Sequence, residues 1–145
     1  MIAYADTGFL CSLYAPDAHT SRAASRMARQ VLPLAFTWLH RLELRNALRL
    51  RVFRREITAA QADASLNATL ADVRGGVLAT TAPSLGDVST EAERLSVGYS
   101  AKLGTRTLDI LHVANALVLG LTEFLTFDAR QAALARAVGL KVPRL

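Results

Sequence analysis

The stretch "IAYADTGFL" (residues 2–10) joins an apolar run of strand length to a segment that can open a helix, with Asp6 at the junction. The same order recurs near the other end of the chain in "TEFLTFDARQAAL" (residues 122–134), where Asp128 follows the apolar run. Sites in parallel α/β sheets form at the carboxyl ends of strands. The two carboxylates are therefore expected to meet if their strands are neighbours.

Strands alternate with helices along the whole chain, residues 1–145, which we interpret as a single domain. This alternation predicts an α/β fold with a parallel sheet and helices on both of its faces. Strands are predicted at 2–6, 33–37, 77–81, 123–128 and 140–145. Helices are predicted between Asp6 and Pro16, from Thr107, and at 18–30, 38–55, 58–74, 87–103 (with Gly104 as the C-cap) and 129–138.

The composition limits the kind of protein this is. Hydrophobic residues make up 52% of the chain and charged residues 20%, which is enough to bury a core. The longest uncharged run, residues 110–122, has 13 residues, whereas a membrane helix needs about 20. Asp6 interrupts the N-terminal apolar stretch too early for a secretory signal, and the one cysteine, Cys11, allows no internal disulfide. No membrane association and a cytoplasmic location are expected.

Three of the notable acids have ordinary structural explanations. Asp6 and Asp128 could each be a helix N-cap, which typically contributes about 1 kcal/mol. Asp109 lies in the first turn of a mostly apolar helix, where the helix dipole favours an acid by about 0.3–1 kcal/mol. The dipole accounts less well for an acid on a helix that must face the core, so both explanations of Asp109 stay open.

Glu43 is harder to explain by local structure. At about 100° per residue, helix 38–55 places one apolar arc toward the core, with Glu43 at its edge; the arc contains Leu39, Leu42, Leu50 and Phe53. No Lys or Arg lies three or four residues from Glu43. An acid near the core without a local partner needs a distant cation or a metal.

The other possible metal ligands are sparse. His19 and His40 are predicted to be surface or loop residues. His112 is predicted to be partly buried and hydrogen-bonded, although it lies three residues after Asp109 and could reach the site. A carboxylate cluster without His or Cys ligands suits hard cations such as Mg²⁺ or Mn²⁺. A bound cation turns the mutual repulsion of such acids into attraction, and it can activate a water for phosphodiester hydrolysis.

Arginine dominates the basic residues, with 15 Arg and two Lys in a chain of net charge +5. Arg41, Arg45 and Arg49 recur every four residues on the helix that carries Glu43. Arg grips phosphate in a bidentate way, so this stripe predicts contacts with RNA phosphates. A solvated helix face is the alternative.

Four motifs in this order resemble one family. They are "YADTGFL" with Asp6 and Thr7, "LHRLELRNAL" with Glu43, "GTRTLDILHVANAL" with Asp109, and "LTFDARQAALARAVGL" with Asp128. Together they resemble PIN-domain ribonucleases, and most of all the VapC-type toxins of prokaryotic toxin–antitoxin pairs.

The resemblance implies a three-layer α/β/α fold with a central parallel sheet of four to five strands. It implies an endoribonuclease that hydrolyses RNA with a water activated by Mg²⁺ or Mn²⁺. By position, Asp6, Glu43, Asp109 and Asp128 would be the catalytic and metal-binding set, and Thr7 would orient a water or ligand. The family further implies a homodimer and inhibition by a cognate antitoxin protein.

Two other functions stay open. The chain could be a non-catalytic PIN-like module that binds RNA or protein, with its acids acting as caps and dipole partners. It could also be a nuclease that acts on DNA, although such enzymes usually carry extra acids and long insertions, for which 145 residues leave little room. The presence of all four acids favours the ribonuclease.

Overall fold

The computed structural model describes residues 2–145 and contains helices and short strands in alternation. The strands are β1 (Tyr4–Ala5), β2 (Leu34–Phe36), β3 (Leu78–Thr80) and β4 (Phe124–Leu125). The helices are α1 (Thr7–Tyr14), α2 (Thr20–Ala28), α3 (Trp38–Phe53), α4 (Ala59–Arg74), α5 (Leu85–Leu95), α6 (Ala101–Leu103), α7 (Thr107–Val118) and α8 (Ala129–Ala137). One π-helical segment, Ser96–Ser100, divides α5 from α6 within the predicted helix 87–103, and Gly104 ends α6 with a left-handed φ of 65°, as predicted.

All strand pairs are parallel. β1 pairs with β4 and β2 pairs with β3, and a single bridge between Ala3 and Leu34 joins the two pairs in the order β3-β2-β1-β4. The predicted continuous sheet of four to five strands is thus realised as two short pairs. The strands stop early because the residues after β1 and β4 turn to cap helices, and the predicted last strand is reduced to one bridge at Lys141, shortly before Pro143.

Alternate strand residues face two different cores. Tyr4 and Phe124 contribute to a cluster with residues of α5, α7 and α8, including Val113. Ala5 and Leu125, each the next residue along the same strands, contribute to a second cluster that includes residues of α1 and α2. Successive side chains of a strand point to opposite faces, so the sheet lies between two helical layers.

Helix α3 buries a different face from the predicted one. Leu39, Leu44 and Leu48 are buried, whereas Leu42 is 62% exposed and Phe53 is 83% exposed. The predicted arc is therefore wrong for most of its members. The reason is that α3 packs against both α1 and α4, and these two neighbours select the leucines that lie between them.

Within residues 2–145, no helix combines the length and the apolar character that a membrane span requires.

Candidate active site

The four acids singled out from the sequence line one pocket of about 490 Å³. Asp6 and Asp128 follow the neighbouring strands β1 and β4, so the expected meeting of the two strand ends occurs. Helix α3 contributes Glu43, and the first turn of α7 contributes Asp109. Thr7, Gly8, Arg106 and His112 are among the other residues that line the pocket.

Asp6 is both a helix cap and a wall of this pocket. Its Oδ1 accepts the backbone N–H of Phe9 at 2.7 Å, which caps α1, and its Oδ2 accepts the hydroxyl of Thr126. The residue is only 6% exposed. Burial raises the pKa of Asp6, while the hydrogen bonds from Thr126 and Phe9 partly oppose that rise.

Asp128 caps α8 in the same way. Its Oδ1 accepts the backbone N–H groups of Arg130 and Gln131 at 2.8 and 2.9 Å, and its own N–H donates to the hydroxyl of Thr126 at 2.9 Å. Thr126 therefore links the two capping aspartates. For both residues, capping and membership of the pocket are compatible.

Asp109 is held by Arg106. The backbone N–H and the Nε of Arg106 both donate to Oδ2 of Asp109 at 3.1 Å, and Nη2 of the same arginine lies 3.4 Å from Oδ2 of Asp128. The Arg106 side chain is 63% exposed, whereas that of Asp109 is 10% exposed. One solvent-exposed guanidinium thus bridges two carboxylates of the pocket.

Glu43 has distant partners instead of local ones. Its Oε2 accepts the hydroxyl of Thr7 at 2.8 Å and a hydrogen bond from Nε2 of His112, while Nδ1 of His112 accepts the hydroxyl of Tyr4 at 2.9 Å. Burial alone would raise the pKa of Glu43, but the hydrogen bonds from His112 and Thr7 hold it below its ordinary value. Glu43 is thereby kept ionised and fixed in direction.

The histidines divide between confirmed and wrong predictions. His112 is buried and hydrogen-bonded as predicted, and it also reaches the pocket. His40 is fully buried, so its predicted surface position is wrong: its Nε2 donates to the carbonyl of Ala5 at 2.7 Å, and its Nδ1 accepts the N–H of Thr37 at 3.0 Å. Burial lowers the pKa of His40 to about 3.

Three residues of the site were missed by the sequence reasoning. Thr126 lies two residues before the capping Asp128, and Gln131 lies three residues after it. These positions can be recognised as part of the site only once the hydrogen bonds around Asp128 are known. Arg106 had a clearer signal, since an arginine three residues before an acid at a helix start can pair with it.

The arginine stripe lies apart from the acids. Arg41, Arg45 and Arg49 line a second cavity of about 510 Å³ between α3 and α4, together with Leu44 and Leu66. None of the three arginines forms an ion pair with any residue in 2–145. The structure therefore does not bring the stripe into the acid pocket, and its contact with RNA phosphate stays a prediction.

The acid pocket has the donor chemistry of a hard-cation site, because its four acids offer only oxygen atoms. The side chains are not yet assembled around one point: across the described residues, no three His, Cys, Asp or Glu side chains stand close enough to hold a metal ion. Arg106 and the hydrogen bonds of Thr7, His112 and Thr126 currently occupy carboxylate oxygens. The donor set fits Mg²⁺ or Mn²⁺, and binding would require a local rearrangement.

No model of a protein family matches the chain, and no curated protein matches it in sequence. Solved structures do match. VapC20 of Mycobacterium tuberculosis, a toxin that cleaves the sarcin–ricin loop, aligns with a TM-score of 0.66 and 20% identity over 90% of this chain and 93% of its own.

Two further structures cover nearly the whole chain. VapBC2 of Rickettsia felis, solved with a DNA fragment from its promoter, has a TM-score of 0.68 at 14% identity and covers 99% of this chain and 98% of its own. FitAcB of Neisseria gonorrhoeae has a TM-score of 0.66 at 14% identity, and the alignment covers 99% of this chain and 97% of its own. The resemblance drawn from the four motifs is confirmed at the level of the fold: the chain has the fold of the VapC-type PIN-domain toxins.

Proposed function

We propose that this protein is a metal-dependent endoribonuclease that hydrolyses RNA phosphodiester bonds, and that it is the toxin of a type II toxin–antitoxin system. The observation that carries the proposal is the convergence of four carboxylates from four separate elements on one pocket of a VapC-like fold. Capping alone can bring Asp6 and Asp128 to one edge of the sheet, but it does not explain Glu43, which lies inside α3, caps no helix and lines the same pocket.

The carboxylates Asp6, Glu43, Asp109 and Asp128 would hold Mg²⁺ or Mn²⁺. When bound, the cation supplies an acidified water and a positive charge close to the phosphate that is attacked. The chain itself supplies orientation. The N-terminus of α1 and Thr126 fix Asp6, and Thr7 and His112 fix Glu43.

Thr7 positions a carboxylate in this proposal. Its single hydroxyl hydrogen is directed at Oε2 of Glu43, which lies 2.8 Å away. A water could bind Thr7 only by donating a hydrogen bond to its Oγ1, and this oxygen already lies 3.2 Å from Nε2 of His112. We therefore propose that Thr7 helps to orient a water or ligand indirectly, by fixing the direction of the Glu43 carboxylate.

RNA as the substrate has support from charge and from a structural neighbour. The chain carries a net charge of +5, and Arg41, Arg45 and Arg49 are free of ion pairs to residues 2–145. VapC20 is a toxin that cleaves the sarcin–ricin loop. We propose that the arginine stripe contacts RNA phosphates outside the acid pocket.

A cognate antitoxin is the proposed protein partner. Neighbours in the VapBC2 and FitAcB structures were crystallised with their antitoxins. Several large apolar side chains are open to solvent: Leu108, at 49% exposure, lines the acid pocket, and Trp38 at 40% and Leu85 at 66% line a groove that shares Thr107 with it. We propose that this surface is covered in a homodimer or an antitoxin complex, and that the protein acts in the cytoplasm; light scattering of the purified chain would detect the dimer.

One observation favours a second function, a non-catalytic PIN-like binding module. No three acids of the described chain are assembled for a metal, and Arg106 neutralises two of them. A module of this kind would still bind RNA through its arginines but would not cleave it.

An RNA cleavage assay separates the two functions. We expect the wild type to cut single-stranded RNA with Mn²⁺ or Mg²⁺ and to stop in EDTA. Asp109→Asn should lose cleavage, and Asp87→Asn, which removes an exposed acid of α5 that lines neither the acid pocket nor the arginine cavity, should keep it. Cleavage that persists in Asp109→Asn would reveal a contaminating nuclease. RNA binding without metal-dependent cleavage by the wild type would favour the binding module.

A further inference from the structure

Arg106 holds an unusual position among the residues of the acid pocket. Of the residues that line it in the described part of the chain, Arg106 alone is Lys or Arg. Its guanidinium contacts Asp109 through Nε at 3.1 Å and Asp128 through Nη2 at 3.4 Å. It therefore lies between two acids from different elements, where an approaching cation would also be attracted.

The two acids keep their orientation without the guanidinium. Oδ2 of Asp109 also accepts the backbone N–H of Arg106 at 3.1 Å. Oδ1 of Asp128 accepts two backbone N–H groups of α8, from Arg130 and Gln131. If the arginine side chain swings away, the backbone still directs both carboxylates into the pocket.

The guanidinium itself is easy to displace. Its side chain is 63% exposed, and within residues 2–145 its hydrogen bonds go only to Asp109 and Asp128. An exposed arginine regains water when it leaves such a pair, so the pair is weak. A divalent cation, with twice the charge and a smaller radius, would bind the same carboxylates more strongly.

We propose that Arg106 is the resident counter-ion of Asp109 and Asp128, and that a divalent metal must displace its guanidinium to bind. This inference rests on the proposed metal-dependent function. It assigns to Arg106 a role that opposes metal binding: the side chain neutralises the acids while the metal is absent and lowers the affinity of the pocket for it. It also accounts for the lack of a preassembled group of three acids.

Metal titration without RNA tests the proposal. We would measure Mn²⁺ binding to the full chain by calorimetry for wild type, Arg106→Gln and Arg130→Gln. Arg130 follows Asp128 on the exposed side of α8 and does not line the pocket, so its variant removes the same charge nearby without removing the pair. Arg106→Gln should bind Mn²⁺ about fivefold more tightly, as expected for the loss of one exposed ion pair, and Arg130→Gln should bind nearly as the wild type does.

The opposite result has a distinct meaning. Equal or weaker binding by Arg106→Gln would overturn the proposal, because the arginine would then support the metal site or be irrelevant to it. An equal gain in Arg130→Gln would overturn it too, by showing that only long-range charge matters. Arg106→Lys serves as the second variant if Arg106→Gln fails to fold, and it should bind more tightly than the wild type because lysine cannot bridge both acids in the same fork geometry.

A spectroscopic measurement follows the arginine itself. In the wild type, the Nε–H signal of Arg106 should lose its protection from solvent exchange when Mg²⁺ is added, while the backbone N–H of the same residue keeps it. Persistent protection of Nε–H at saturating Mg²⁺ would refute displacement. If the wild type bound no Mn²⁺ at all and did not cleave RNA, both this inference and the proposed function would fall, whereas binding that is insensitive to Arg106 would remove this inference alone.

Discussion

Replacing Asp6 by Asn separates the two roles that this residue combines. Asn keeps the oxygen that accepts the N–H of Phe9, so it caps α1 about as well as Asp does. Its amide nitrogen would face Thr126, whose hydroxyl can turn its hydrogen toward Oε1 of Gln131, 3.2 Å away. Asp6→Asn therefore keeps hydrogen bonds to Phe9 and Thr126 but removes the negative charge.

The magnitude follows from the environment of the carboxylate. Exchange of one good cap for another costs at most a few tenths of a kcal/mol. Burial raises the pKa of Asp6, which means that the folded protein disfavours the charge, and its removal returns some stability. Without metal, Asp6→Asn should therefore be as stable as the wild type or up to about 1 kcal/mol more stable. Asp6→Ala removes the side-chain hydrogen bonds to both Phe9 and Thr126, so its free energy of unfolding should fall by about 1–3 kcal/mol.

With added metal, the wild type should become more stable than Asp6→Asn. A cation that binds only the folded state at 100 times its Kd stabilises it by about 2.7 kcal/mol, or about 8 °C for a chain of this length. The wild type should show this rise with Mn²⁺, and Asp6→Asn should lose most of it because one anionic ligand is gone.

The assay is a pair of thermal melting curves, with and without Mn²⁺, for wild type, Asp6→Asn and Asp6→Ala, together with RNA cleavage. A metal-free Asp6→Asn that melts several degrees below the wild type would refute the isosteric argument. A full Mn²⁺ shift and full cleavage in that variant would leave Asp6 as a cap alone.

Three further outcomes are expected. Because the pKa of His40 is about 3 in the folded protein, against 6.5 for an ordinary histidine, only the unfolded chain gains this proton as pH falls from 6.5 toward 3. His40 should therefore contribute a loss of about 1.4 kcal/mol of stability per pH unit in that window, and the free energy of unfolding of His40→Gln, measured by denaturant titration at several pH values, should fall less steeply with pH than that of the wild type. Thr7→Val should weaken Mn²⁺ binding about tenfold by releasing Glu43, and Thr7→Ser should restore it in the same calorimetric titration. Arg45→Ala and Arg49→Ala should weaken RNA binding and lower its salt slope by about one each; an unchanged slope would return the stripe to a solvated face.

The sequence was informative where local rules and topology agree. An apolar run that ends in Asp before a helix predicts a cap at a strand end, and parallel pairing brings two such ends together, as occurs for Asp6 and Asp128. Asp109 was predicted in the first turn of an apolar helix, and it lies there in α7. None of these inferences needs knowledge of which helix packs against which.

The inferences that failed depend on tertiary contacts. Helix α3 carries leucines on more than one face, and only its packing against α1 and α4 decides that Leu44 and Leu48 are buried while Leu42 is not. The burial of His40 requires a backbone carbonyl of β1 directly opposite its ring, and that carbonyl is 35 residues away in the chain. Periodicity cannot supply either piece of information.

The recurrence of aspartate after β1 and β4 has a single physical explanation. A helix that starts directly after a strand needs a side-chain acceptor for its first N–H groups, and this acceptor necessarily lies at the carboxyl edge of the sheet. A carboxylate has a second oxygen: Oδ1 of Asp128 serves α8, while its Oδ2 faces Arg106. Serine would cap the helix equally well but has no second oxygen to offer. Asp128→Ser should therefore keep the stability of α8 in a melting experiment and lose part of the Mn²⁺-dependent gain, a result that a purely structural aspartate would not produce.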